Sequence, residues 1–138
     1  MKTTKGTERT SPMNRLLILS VQLLTLLVGN PAVSADFQKG LDAHDRGDYA
    51  TALREWKPFA EQGDADAQYN LGAMYDNGHG VLQDFVRAHM WFNIAASSGK
   101  GKNASINRDI VAKRMNSNQI ETAQRLDREC VKKNYKGC

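Results

Sequence analysis

Residues Asp64 to Gly99, DADAQYNLGAMYDNGHGVLQDFVRAHMWFNIAASSG, form a complete helix–loop–helix pattern, and the segments on either side read as edited copies of it. Repetition of this length constrains a fold strongly, because each unit has to bury its apolar face against its neighbours. Ala67, Leu71, Gly72 and Tyr75 fall at i, i+4, i+5 and i+8, one stripe of a helix. Phe85, Ala88, Trp91, Phe92, Ala95 and Ala96 keep helical spacing in a second segment. Between them Asn77, Gly78, His79, Gly80 and Val81 make a tight loop, and Gly99 stands where a left-handed residue ends the second helix.

The copies are unequal. Shifting the second half back by thirty-six positions sets Asp48-Tyr49 on Asp84-Phe85, Ala52 on Ala88, Trp56 on Phe92, Ala60 on Ala96 and Gly63 on Gly99. Upstream of Gly47 the offset falls to thirty-one, with His44-Asp45 on Tyr75-Asp76 and Gly47 on Gly78. The first unit therefore lacks the five residues His79 to Gln83. Forward, an offset of thirty-seven puts Ala104 on Ala67 and Ala112 on Tyr75, while Arg108-Asp109 replace Leu71-Gly72. Asn116 or Ser117 can cap a following helix through Ile120, Ala123, Gln124 and Leu126. Its charged outer face, Arg125, Arg128, Glu129, Lys132 and Lys133, suits a terminal helix.

Ala67, Leu71-Gly72, Tyr75, Gly78-His79-Gly80-Val81, Asp84, Ala88, Trp91-Phe92, Ala95-Ala96 and Gly99 together resemble a Sel-1-like repeat, a relative of the tetratricopeptide repeat. That resemblance implies an all-α protein, an α/α solenoid of about three helix pairs, and a role in protein or peptide binding. The units run 36–63 (shortened), 64–99 (full) and 100–133 (divergent, capping), with a tail at 134–138.

The beginning of the chain reads as a leader. Lys2, Lys5, Arg9 and Arg15 precede an apolar run from Leu16 to Val28, and Val33-Ser34-Ala35 supplies small residues for cleavage between Ala35 and Asp36. An uncleaved anchor is the alternative, but this run is shorter than the roughly twenty apolar residues a membrane span needs. Met13 could be the true start. Residues 1–35 are thus expected to be a cleavable signal peptide, with an exported, periplasmic or secreted product that has no membrane span after cleavage.

Removing the leader changes what the charge means. The chain is +4, of which Lys2, Lys5, Arg9 and Arg15 against Glu8 supply +3, leaving +1 for Asp36 to Cys138. Nucleic-acid binding is therefore not expected. The remaining charge is divided: ten acidic and four basic residues from Asp36 to Asp84 give −6, and four acidic and eleven basic from Phe85 to Cys138 give +7. Solvated helix faces account for such a pattern, and so does a dipolar solenoid that steers its partner.

Cys130 and Cys138 are expected to form a disulfide in an exported chain. On one continuous helix their Cα atoms would lie about 12 Å apart, beyond the roughly 7 Å that a bridge allows. The helix must therefore end soon after Cys130, with Asn134 and Gly137 placed to turn the chain back.

No catalytic, metal or cofactor pattern stands out. Some Sel-1-like proteins are described as β-lactamase-like, and Ser97-Ser98-Gly99-Lys100 does satisfy Ser-x-x-Lys, with Ser105-Ile106-Asn107 as Ser-x-Asn. The two lie only a few residues apart, no Lys-Thr-Gly follows, and Ser97 is at a helix end, so a secreted hydrolase remains only the alternative. His44, His79 and His89 lack metal spacing. His79 falls in the loop, and His89 is expected on the outer side of its helix. Transfer of the tetratricopeptide binding positions points to a concave face of first helices. It carries Gln38, Asp42, Asp45 and Arg46 in the first unit. The second contributes Asp66, Tyr69, Ala73, Asp76 and Asn77; the third, Asn103, Ile106, Ile110 and Lys113. These imply a groove, acidic at one end and apolar to basic at the other, for an extended peptide or a helix.

Overall fold

Asp36, Asp48, Asp64 and Asp84 each stand one residue before a helix, and each carboxylate accepts a hydrogen bond from the backbone N–H three residues on: Lys39, Thr51, Ala67 and Arg87, at 2.8–3.2 Å. An oxygen in that place satisfies one of the donors that a helix start leaves unpaired. The computed structural model describes residues 35–99 and 102–138, so the expected leader, except for its last residue Ala35, and Lys100 lie outside the described residues.

The described residues form six helices: α1 Phe37–Asp45, α2 Tyr49–Ala60, α3 Ala65–Asn77, α4 Phe85–Ser97, α5 Lys102–Ala112 and α6 Ser117–Lys132. Strands are absent among the described residues, and the fold is an all-α helical repeat. Asn116 caps α6, and with Gln119 it closes a reciprocal capping box. No described helix is long and apolar enough to cross a membrane.

Neighbouring helices pack in chain order from α1 to α5. Close approach depends on two glycines. A Cβ on Gly72 would stand 2.7 Å from the Phe92 ring, and one on Gly40 would stand 2.3 Å from Trp56. In the first two pairs the large ring of the second helix thus lies directly on the backbone of the first. Gly40 falls on Leu71 at an offset of thirty-one, so the first pair places its small residue one position away from Gly72. Trp56 Nε1 donates to Phe37 O at 3.2 Å, which fixes the larger ring there.

The loop between α3 and α4 reaches back to the first pair. Gly80 is left-handed (φ +70), and a Cβ there would meet Tyr49 O at 2.9 Å. His79 lies flat on Tyr49, with ring centroids 3.9 Å apart and planes at 9°. This contact gives a packing reason for the five residues that the first unit lacks.

The third pair departs from the hairpin pattern. α5 and α6 both pack on α4, and make little contact with each other. As a result α4 is enclosed by α3, α5 and α6, and every residue from Ala88 to Phe92 is buried. His89, expected on an outer side, is only 6% exposed; with three neighbours the middle of this helix has no outer side. Asn93 ties the assembly together. It donates to Asp127 on α6 at 2.7 Å and accepts from Arg108 on α5 at 3.0 Å.

After α6 the chain reverses through Asn134, Tyr135 and Gly137, with φ of 51°, 63° and 67°. Asn134 and Gly137 were expected to turn; Tyr135 was not. The Cys130–Cys138 disulfide closes this turn, with Cα atoms 5.7 Å apart.

Candidate functional site

On the face of the first helices, two side-chain links join α3 to α5 and the turn after it. Asn107 donates to the Tyr69 hydroxyl at 2.9 Å, and Arg114 Nη1 donates to Asp76 Oδ1 at 2.9 Å. The Arg114 guanidinium also sits 4.0 Å over the Phe85 ring. Tyr69 and Asp76 are therefore engaged within the protein, and they hold α5 in register along α3. Asn77 Nδ2 donates to Ala73 O.

Next to these links stand the apolar positions of α5. Ile106 and Ile110, one helical turn apart, are 56% and 49% exposed. Lys113 and Asn103 are exposed on the same stripe, and Lys113 makes no ion pair among the described residues. Large aliphatic side chains in water are common singly; here two stand one turn apart on one helix, and Tyr69 and Ala73 of α3 are themselves only partly buried.

The α1 set is acidic and open. Asp42 accepts from Gln38 at 2.9 Å, Asp45 is 3.8 Å from His44 Nδ1, and Asp42, Asp45 and Arg46 are all exposed. No hydrogen bond or ion pair joins this set to Asp66, Tyr69 or Asp76 among the described residues. The α3 and α5 segments are thus joined by the Asn107–Tyr69 and Arg114–Asp76 links, while Gln38, Asp42 and Asp45 share α1 with no bond to them among the described residues.

Several polar groups matter structurally that the sequence did not single out. Glu55, buried in α2, accepts from Asp36 N at 3.0 Å and pairs with Lys39 Nζ at 2.9 Å. The Lys39 hydrogen bond, then the Asp36 N–H, hold its carboxyl below the usual 4.5. Hydrogen bonds from Thr51 do the same for Asp48. Burial keeps the His89 imidazole below its usual 6.5; Arg108 adds to this, while Asp109 and Asp127 oppose it. Gln68, buried in α3, donates to Ala60 O at 3.1 Å and ties the two pairs together.

At the serine positions of the hydrolase alternative, Ser97 and Ser98 hydroxyls donate to Ile94 O and Ala95 O, both at 2.7 Å, as helix-end hydroxyls do. His44 and His79 have ring centroids 5.8 Å apart, and no group of three His, Cys, Asp or Glu residues is arranged for a metal among the described residues.

A family model, the Sel1 repeat, matches residues 65–100. No curated protein and no solved structure matches the chain.

Proposed function

The chain is a Sel1-like repeat protein, whose family supplies non-catalytic scaffolds for protein–protein contact, and from that premise we propose that it is an exported adaptor or assembly factor of the cell envelope. It works there by binding a peptide or helix on its first-helix face. The observation that carries this reading is the exposed Ile106–Ile110 pair on α5, with Lys113, exposed and without an ion pair among the described residues, on the same stripe. An apolar strip with a charge at its end is suited to a partner whose apolar residues are followed by a carboxylate.

Export rests on the leader pattern of residues 1–35 and agrees with the closed Cys130–Cys138 bridge. The acidic α1 patch gives a second, long-range contribution: it attracts a basic partner segment and raises its association rate.

Two measurements test the proposal. N-terminal sequencing of the protein from the envelope fraction should begin at Asp36; a chain starting at Met1 or Met13 would end the cleaved-leader reading, and absence of the protein from the envelope fraction would end the export reading. Cross-linking in the envelope fraction, followed by binding of the purified partner, should give a complex that is lost with Ile106→Asp/Ile110→Asp. Asp42→Lys/Asp45→Lys should slow its formation without unfolding the protein. Binding that both double variants leave unchanged would remove the first-helix face from the function.

A further inference from the structure

The C-terminal turn is more than the end of the last helix, because it touches the far side of the repeat array. The Tyr135 ring lies against Gly63 in the α2–α3 turn, 3.2 Å from where a Cβ would stand, and Gly137 N–H donates to Glu61 Oε1 at 3.4 Å. Residues from the third pair thereby hold the junction of the first and second. Two successive non-glycine residues with positive φ, Asn134 and Tyr135, put them there. Such backbone persists where the surroundings over-determine it, and here the disulfide is the covalent part of those surroundings.

Its two sulfurs are not equivalent. Cys130 is 2% exposed and belongs to the main core, whereas Cys138 is partly exposed at the edge of it. A cleft of about 100 Å³ opens beside Cys138 alone; Lys57, Leu71, Trp91 and Glu61 are among its walls, and Cys130 is not. On the other side of the bridge a cleft of about 160 Å³ is lined by both cysteines together with Arg87, Lys133 and Glu129. Of the two cysteines, a nucleophile entering past Lys57 and Glu61 therefore meets Cys138. A lysine ammonium at such an entrance favours the thiolate form of an incoming thiol.

We propose that the Cys130–Cys138 bridge is a thiol-exchange clasp: a small monothiol attacks Cys138 through the Lys57 cleft, and opening the bridge releases the strap that ties α6 to the α2–α3 turn. The balance is that of thiol–disulfide exchange. The thiolate sulfur bonds to Cys138 Sγ, the Cys130–Cys138 bond breaks, and its electron pair leaves on Cys130 Sγ, which takes a proton. A second thiolate then bonds to the sulfur of the first monothiol, the bond from that sulfur to Cys138 Sγ breaks, and its electron pair leaves on Cys138 Sγ, which takes a proton. Two thiols are thus oxidised to one disulfide while both cysteines are reduced. With the tail free, Tyr135 leaves Gly63, and the apolar surface around Leu71 and Trp91 becomes accessible. This clasp is independent of the binding role proposed above.

The test uses reduced glutathione as the probe on the oxidised protein under native conditions, with rapid alkylation by iodoacetamide and peptide mapping. Expected is a mixed disulfide on Cys138 with alkylated Cys130, in about tenfold excess over the reverse arrangement. Lys57→Glu should slow the reaction about threefold or more at low salt, leaving the bridge itself intact. Hydrogen exchange at residues 61–65 should rise when the bridge opens, and to the same level in Cys138→Ser. Adducts mainly on Cys130, a rate indifferent to Lys57→Glu, or reaction only as fast as global unfolding would overturn the site. Unchanged exchange at 61–65 in Cys138→Ser would overturn the strap.

Discussion

The second helix pair and the third solve the same problem by different means. In α3 and α4 the Leu71-Gly72 step lets Phe92 lie on the helix backbone, and the joint is made by shape. In the third pair Arg108 and Asp109 occupy the equivalent step. The joint there is made by hydrogen bonds, from Arg108 to Asn93, from Asn93 to Asp127 and from Asn107 to Tyr69. What the glycine motif encodes is closeness of approach. Where it is lost, α6 leaves its partner α5, packs on α4, and ends in a bridged tail. Close packing and polar linkage differ in cost when broken, in their response to pH, and in tolerance of substitution.

The largest separation should come from truncating the ring. Phe92 is 1% exposed, and Phe92→Ala should lower stability by about 3 to 5 kcal/mol, from the lost transfer energy and the cavity left behind. Asn93→Ala, one residue on, should cost about 1 to 3 kcal/mol, because Arg108 and Asp127 each lose a neutral partner but stay near water. Urea unfolding of both variants measures the difference. Equal losses would mean that the two joints are not different in kind.

A sharper comparison swaps the same position in the two pairs. Gly72→Ala adds a Cβ 2.7 Å from a buried ring and should cost about 1 to 3 kcal/mol through overpacking, even though alanine is the better helix former. Thirty-seven residues on, Asp109 is exposed, and Asp109→Ala should change stability by no more than about 0.5 kcal/mol. Thermal melts decide it: a neutral Gly72→Ala would show that α3 and α4 can move apart at no cost.

Protons separate the regions as well. His89 lies among α4, α5 and α6, with burial holding its pKa below 6.5 and Arg108 helping. The unfolded chain then takes up a proton that the folded one resists, so stability is full above 6.5 and declines as the pH falls below it, until the folded group titrates too. Glu55 in the first pair behaves at a lower pH. Its carboxyl is held below 4.5 by Lys39 and the Asp36 N–H, so its contribution is present above 4.5 and is lost as the pH falls through the folded value. Hydrogen exchange against pH should show α5 and α6 loosening first and α1 afterwards; the reverse order would contradict both assignments.

Much of this architecture was legible in the sequence because it is written in local spacing. The helix stripes, the glycine loop, the third pair's cap at Asn116 and the helix end forced by Cys130 all depend on residues a few positions apart. Gly40 was not legible, since its role appears only when Trp56 is placed over it. His89 was misplaced because a helical wheel assumes one buried side, and α4 has three neighbours. On the candidate face, the wheel located Tyr69 and Asp76 but not their engagement. Asn107 and Arg114 come from the next unit, thirty-eight residues away, and only the register of α5 on α3 brings them there.

That register suggests the smallest effect and the most local one. Asp76 and Arg114 form an ion pair with side chains 22% and 46% exposed, and a partly solvated pair contributes roughly 0 to 1 kcal/mol. The Arg114 guanidinium over Phe85 adds about 0.5 to 1 kcal/mol of its own, so Arg114→Ala should cost more than Asp76→Asn, and salt should weaken the ion-pair part. A double-mutant cycle isolates that part, since Asp76→Asn leaves the ring contact in place. A coupling that fades from low to high salt, over an Arg114 effect that does not, is the expected result. If instead the whole Arg114 effect vanished with Asp76, the end of α5 would be held by charge alone, and its register along α3 would depend on ionic strength.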